Sequence, residues 1–526
     1  PRSRGVLRPH SRDPPPGFPP LLALAGRFLA ATGSATASAG QAGDEDEDDD
    51  AGEDRQVVGE IFRLGHTPGS DPPGAYAEED VRVDGEMALL SSFLGEGGTF
   101  LHDIRDPTDP TEVHRLRSAP DVRNADCAFD PREGLYYRSQ EPNGEEASLE
   151  GVEVVDYGFQ RGFVEGPVIV SKISNGPTHN LFPHPDPETP VLYTTHEEMT
   201  MKAWDVSDPS APEELFAGIA GGSAHDVVVD PTDEILYFAG EVPVDEDGNV
   251  DEREGGGHHD EAGDEDRGRF FSYAFFDVGD PGEPELLGGL DPTEYTSLKE
   301  AGMDGAGFKH GGGHYADYDP RRAIAYVSDE TGRGVPAGKW ALDVGWKDGS
   351  FEDPVPLGFT RSPNAELQEE VDELFDWTTH NHDVVPKPDA TLLVSGDYHE
   401  GTVVYDFTDP ENPAPSDQYR TDDGADEVGE GDGPMFFPEE DSPPMAWGAN
   451  YNEERDLAVT SDMWTGLYVF TVTPTVNEDG GGDTEGDGDD DSEGDGENDD
   501  GGDDEENASG GDEDDHGDGN GDGSGG

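Results

Sequence analysis

From about residue 76 to residue 473, short apolar runs alternate with clusters of turn-forming residues. In one recurring segment an apolar or aromatic run, such as Thr402-Val403-Val404-Tyr405, meets the motif Asp-x-x-Asp-Pro-x-x-Pro. The motif stands at 103–110, 205–212, 277–284 and 406–413 with identical internal spacing. Proline fixes φ and withholds a backbone donor, so each run is a strand that ends and turns at the Asp-Pro step. Weaker copies follow Val155-Asp156 and Leu342-Asp343, and a degenerate one falls at Val469-Phe470.

A second segment precedes each of these. His225-Asp226 and Asp230-Pro231, followed by the apolar run 235–238, align without gaps on His314-Tyr315 and Asp319-Pro320, followed by 324–327. Ala125-Asp126 with Asp130-Pro131, His382-Asp383 with Pro388, and His179-Asn180 with Pro185 give further copies. Looser ones begin at Glu79-Asp80 and Trp447-Gly448. Each unit reads strand, turn, strand, loop, strand, Asp-Pro turn, strand, and units start near residues 79, 125, 179, 225, 314, 382 and 447. Four short antiparallel strands, repeated seven times, predict an all-β fold: a seven-bladed β-propeller over 56–474. Two stretches exceed the pitch. Residues 241–269 form an acidic, Gly-rich insertion, and 362–376 predict a helix capped by Ser362, with Pro363 first and Leu367, Val371, Leu374 and Phe375 on one face.

The flanks differ in kind. Arg2, Arg4, Arg8 and Arg12, an apolar stretch at 21–31 and Ala37-Ser38-Ala39 follow the order of a secretory signal, so 1–39 predicts export, outside the cell or on its surface. That apolar stretch is too short to span a membrane. Residues 40–55 are an acidic linker. Residues 475–526 are Gly, Asp, Glu, Asn and Ser with almost nothing apolar, a composition that predicts a disordered tail.

Charge narrows the function classes. The chain has 123 acidic and 31 basic residues among 526, a formal net charge of -92. The tail from 477 onward holds 23 of the acidic residues and no Lys or Arg, so the acidity also pervades the repeats. Such a chain does not bind nucleic acid through phosphates, nor an anionic membrane surface. It repels itself in dilute buffer, whereas molar salt shortens the Debye length to roughly 3 Å. The composition predicts a protein of high-salt surroundings, expected to be monomeric, that engages an unidentified ligand or surface protein. One cysteine, Cys127, excludes an internal disulfide and a Cys-rich zinc site, and its place in mid-strand predicts a small buried side chain.

The opening residue of each unit reads Glu79, Ala125, His179, His225, His314, His382 and Trp447. First strands line the channel of a propeller, so His179, His225, His314 and His382, with Glu79, form a candidate metal set. Imidazole suits copper or zinc. His310 and His380 lie close enough in sequence to supplement it. The alternative is structural: the rings bond the neighbouring blade while Asp or Asn caps the turn. No G-x-S-x-G, H-E-x-x-H, phosphate-loop or dinucleotide motif is present.

The blade pattern, with Asp-Val-Ser-Asp-Pro at 205–209 and His-Asp or His-Asn opening the next unit, resembles the LVIVD-repeat propellers, as does the closing Trp447-Gly448 and Ser461-Asp462 segment. That resemblance implies an exported or surface-displayed propeller, often haloarchaeal, acting as a binding or scaffold module. A weaker resemblance, in the turns and the histidine register, is to the selenium-binding/methanethiol oxidase propellers, whose cysteine motifs are absent here. It implies the alternative of a metalloenzyme, a copper-dependent oxidase of small sulfur compounds.

Overall fold

In the computed structural model the described residues are 57–68, 76–93, 98–142, 151–159, 166–196, 199–251, 269–291, 313–330, 337–367, 377–425 and 444–476. The signal-like segment, the acidic linker, most of the insertion, the tail beyond 476, most of the expected helix, and His258, His259 and His310 lie outside them. The chain divides into 1–53 and 54–526, and every described residue belongs to the second unit.

Seven antiparallel sheets make a seven-bladed β-propeller. Their first strands are Tyr76–Val81, the broken pair Val122–Arg123 and Cys127–Phe129, Leu181–Pro183, Ser223–Asp230, Tyr315–Tyr318, Thr379–Lys387 and Ala446–Asn452. Consecutive first strands touch one another, and the seventh touches the first, which closes the ring around an axial channel. Blade 7 takes its outermost strand from the other end of the chain. Val57–Thr67 pairs antiparallel with Gly466–Val476, with Ile61 opposite Val472. Both ends of the repeat region therefore sit in one sheet, and a strand upstream of the first unit locks the ring.

The apolar runs of the middle strands are continuous because each blade is covered on both faces. Seven apolar clusters fill the seven seams between neighbouring blades. In Ile235–Val244 of blade 4, Leu236 and Phe238 pack toward blade 3, while Ile235, Tyr237 and Ala239 pack toward blade 5. One strand thus serves two cores by its two-residue alternation.

The Asp-Pro motifs close the turn between third and fourth strands. In blade 3, Asp205 accepts the Ser207 amide at 2.8 Å and Asp208 accepts the Ser210 amide at 3.0 Å. The same double Asx turn recurs at Asp103 and Asp106, at Asp277 and Asp280, and at Asp406 and Asp409. In blade 5 Asp343 alone gathers the amides of Gly345, Trp346, Lys347, Asp348 and Gly349.

The described start of the expected 362–376 helix differs from expectation. It holds one 3-10 turn, Ala365–Leu367. Ser362 is not a cap: its hydroxyl donates to the Trp377 carbonyl at 2.7 Å. The Asn364 amide is instead taken by the Glu400 carboxylate at 2.6 Å.

Candidate functional site

The aspartate that opens each third-to-fourth turn fixes the register across blades. Asp277 pairs with Ile235, opposite Asp230, and His225 lies five residues before Asp230. The same construction gives His179 in blade 3, His314 in blade 5 and Ala125 in blade 2. In blade 6, Asp406 pairs with Leu392, opposite Val385, and five residues earlier stands His380, not His382. In blade 1 the position is Ala77, not Glu79, and in blade 7 it is Trp447.

Four imidazoles therefore follow one another across blades 3 to 6. Ring centroids are 5.0 Å apart for His179 and His225, 4.0 Å for His225 and His314, and 4.4 Å for His314 and His380. Trp447 stands 4.9 Å from His380, and Tyr398 stacks on His380 at 4.7 Å. Beta-bulges set the register residue in blades 1, 4, 6 and 7. Ladder shifts fall between Tyr76 and Glu79, Ala224 and Asp226, Thr379 and His382, and Ala446 and Gly448. Each interval contains the register residue, and a bulge re-aims the side chain it frees from the ladder.

Two expected site residues lie elsewhere. His382 is back in the ladder opposite Ser395, and its Nδ1 accepts from the buried Lys339 ammonium at 3.1 Å. Burial and Lys339 hold its pKa well below the ordinary value. Glu79 pairs opposite Leu90 and takes the Ser461 amide at 3.1 Å; burial raises its pKa to about 8. Sequence alignment puts His382 at this register and His380 beside it because the first turn of blade 6 is tighter, Lys387 facing Ala390, so that Pro388 rather than Pro386 falls on the Asp-Pro proline. Thr379-His380-Asn381 repeats Thr178-His179-Asn180, the signal that could have found it.

Two glutamates flank the histidine arc. Glu141 bonds His179 Nδ1 at 3.1 Å and Arg123 at 2.7 Å. Burial resists charging of His179, but Glu141 outweighs it and raises its pKa, while His179 and Arg123 overcome burial to hold Glu141 at about 2. Glu330, just past the second strand of blade 5, lies 3.6 Å from His314 Nε2 and 3.5 Å from His380 Nε2. His225 Nδ1 meets the His314 carbonyl at 2.8 Å, and His380 Nδ1 meets the Trp447 carbonyl. Burial and the neighbouring His225 and His380 hold the His314 pKa well below the ordinary value, so its ring is neutral.

One to three residues further along the first strands the channel turns acidic. A cavity of about 420 Å³ is lined by Glu78, Glu79, Asp80, Asp126, Asp226, Asp317 and Asp383, with Tyr315, Phe182 and Tyr451 among its walls. Several of these carboxylates staple one blade to the next. Asp80 accepts the Phe129 amide at 2.6 Å, Asp126 that of Leu181 at 2.6 Å, Asp317 that of Val384 at 2.9 Å and Asp383 that of Tyr451 at 2.7 Å. Burial raises Asp80 and Asp126 to about 7 and Asp317 to about 6, and it raises Glu78, Asp226 and Asp383 well above the ordinary range. Cys127 is buried at the channel wall outside any disulfide, its thiol against the Glu78 carbonyl.

No protein-family model matches the chain, and no curated protein matches it. Among solved structures it is similar to Chaetomium thermophilum Sqt1 bound to the N-terminus of the ribosomal protein L10. That likeness has 11% identity and a TM-score of 0.42, and covers 77% of this chain and 89% of the other.

Proposed function

We propose that this chain is an exported β-propeller of high-salt surroundings, displayed at the cell surface, that binds a small cationic ligand in its axial cavity. The carrying observation is the 420 Å³ space whose walls hold nine acidic residues, the seven above with Asp130 and Glu453, from six of the seven blades. Charged groups this buried are tolerated when protonated, hydrogen-bonded or matched by an opposite charge. A ligand bearing ammonium or guanidinium donors supplies the match, and Tyr315, Phe182 and Tyr451 offer ring surface beside it. Export is supported by the basic, apolar, small-residue order of 1–39, and the high-salt setting by the net charge of -92. The LVIVD-type repeat motifs agree with a surface binding module.

Calorimetric titration with agmatine and spermidine in molar salt tests the reading. The expected result is saturable one-to-one binding, weakened at least about tenfold by Asp226→Asn, with proton release on binding because burial raises Glu78, Asp226 and Asp383 well above the ordinary carboxylate range. Absence of saturable binding by either cation, in protein that stays folded, overturns it.

A further inference from the structure

We propose that His314, His380 and Glu330 bind one divalent transition-metal ion, of the zinc or copper type, at the histidine end of the channel. Among the described residues, these three alone combine at least three potential ligand groups whose donor atoms all lie within 4.8 Å of one another. Glu330 Oε2 lies 3.6 Å from His314 Nε2 and Oε1 lies 3.5 Å from His380 Nε2, so the carboxylate faces both rings, with one donor atom from each residue within a spacing somewhat wider than that around a tetrahedral ion. Small side-chain rotations close the remainder. Two imidazoles and one carboxylate form a set used by catalytic metal sites that keep an open position.

The surroundings fit ligation better than a purely structural cluster. The bulge that carries His380 is held on two sides. Its ring Nδ1 faces the Trp447 carbonyl, which leaves Nε2 as the donor toward Glu330, and its own carbonyl accepts the Lys339 ammonium at 2.9 Å. A backbone carbonyl on the far ring nitrogen is the usual device for orienting a metal-binding histidine. The His314 carbonyl is fixed in the same manner by His225. Glu330 is anchored independently: the Tyr398 hydroxyl donates to it at 3.2 Å, and its carbonyl accepts from Thr378 at 2.6 Å.

The repeat makes the inference specific to blades 5 and 6. His179 occupies the same register but is engaged by Glu141, whose carboxylate Arg123 also binds. His382 belongs to no group of three potential ligands among the described residues, and its Nδ1 is taken by Lys339.

The test is competitive titration of chelator-treated protein with Zn2+ in a large excess of Mg2+, which occupies hard carboxylate sites on so acidic a surface and leaves imidazole sites open. The expected result is one tight Zn2+ per chain, weakened about a hundredfold or more by His380→Ala and by Glu330→Gln, and changed far less by His382→Gln. Substituting Co2+ should give visible ligand-field bands that vanish in Glu330→Gln. Folding of each variant is checked by circular dichroism, and the conservative Glu330→Gln keeps the test informative if His380→Ala unfolds. Loss of Zn2+ binding under Mg2+ in the parent protein, or equal affinity in folded Glu330→Gln, overturns the proposal. Neither result touches the cation-binding reading of the acidic cavity, which Asp226→Asn reports separately.

Discussion

The seams between blades and the axis they surround are built from the same strands, but only the seams keep the sevenfold repeat. Every seam is an apolar cluster made by alternate residues of middle strands, and each could be exchanged for another in kind. The axis is not repeated. At one register it carries two alanines, four histidines and a tryptophan, and a few ångströms along it carries carboxylates. Ring closure asks only for apolar faces of matching shape, so it selects like residues in all blades. Residues that depart from the repeat answer to something other than closure. The difference separates what holds this protein together from what it is equipped to do.

The largest effect that tests this division is salt. Surface acidity acts on the whole ring, so dialysis from molar to millimolar salt should unfold the protein cooperatively, with seams and axis lost in one transition by circular dichroism. A melting temperature unchanged by salt would contradict it. Next comes Phe276→Ala. Phe276 is fully buried in the seam between blades 3 and 4, edge-on to Phe238 at 6.0 Å. Its truncation should cost about 3–5 kcal/mol in denaturant titration. Affinity for Zn2+ or for agmatine should stay unchanged while the chain is folded. Altered affinity would show that seam and axis are not separable.

The smallest effect is pH. Asp80, Asp126, Asp317 and Glu79 have folded values of about 6 to 8, raised first by burial, so their stabilising contribution is complete below the ordinary carboxylate value and is lost as pH rises through 6 to 8. His314 and His382, lowered by burial, act oppositely: their contribution is present above the ordinary histidine value of about 6.5 and is lost as pH falls below it. Between pH 6.5 and 8 the carboxylates lose their contribution, and His179, raised by Glu141, loses its own in the same direction, so the melting temperature at constant molar salt should fall across that window. The fall should shrink in Asp317→Asn, and a rise would sink the assignment. A saturating cationic ligand should flatten the slope, since it stabilises the ionised form.

Much of the ring was legible in the chain. Two alternating motifs at fixed spacing, with proline denying strand continuation, determine where strands end, and seven recurrences determine the blade number. The double Asx turns at Asp205 and Asp208 are local, spanning a few residues, so sequence alone specifies them. The tertiary structure decided what depends on distant partners. Val57–Thr67 carries no repeat motif, and only the unpaired edge of Gly466–Val476 makes it a strand of blade 7. His380 rather than His382 reaches the histidine cluster because a bulge and a tighter hairpin shift blade 6 by two residues. Glu330 was invisible, since nothing in its neighbourhood marks it until blades 5 and 6 close around it. Period and turn chemistry are carried by neighbours in sequence. Which side chains meet on an axis is set by bulges and ring closure, where a one-residue change redirects a side chain and no local propensity records the outcome.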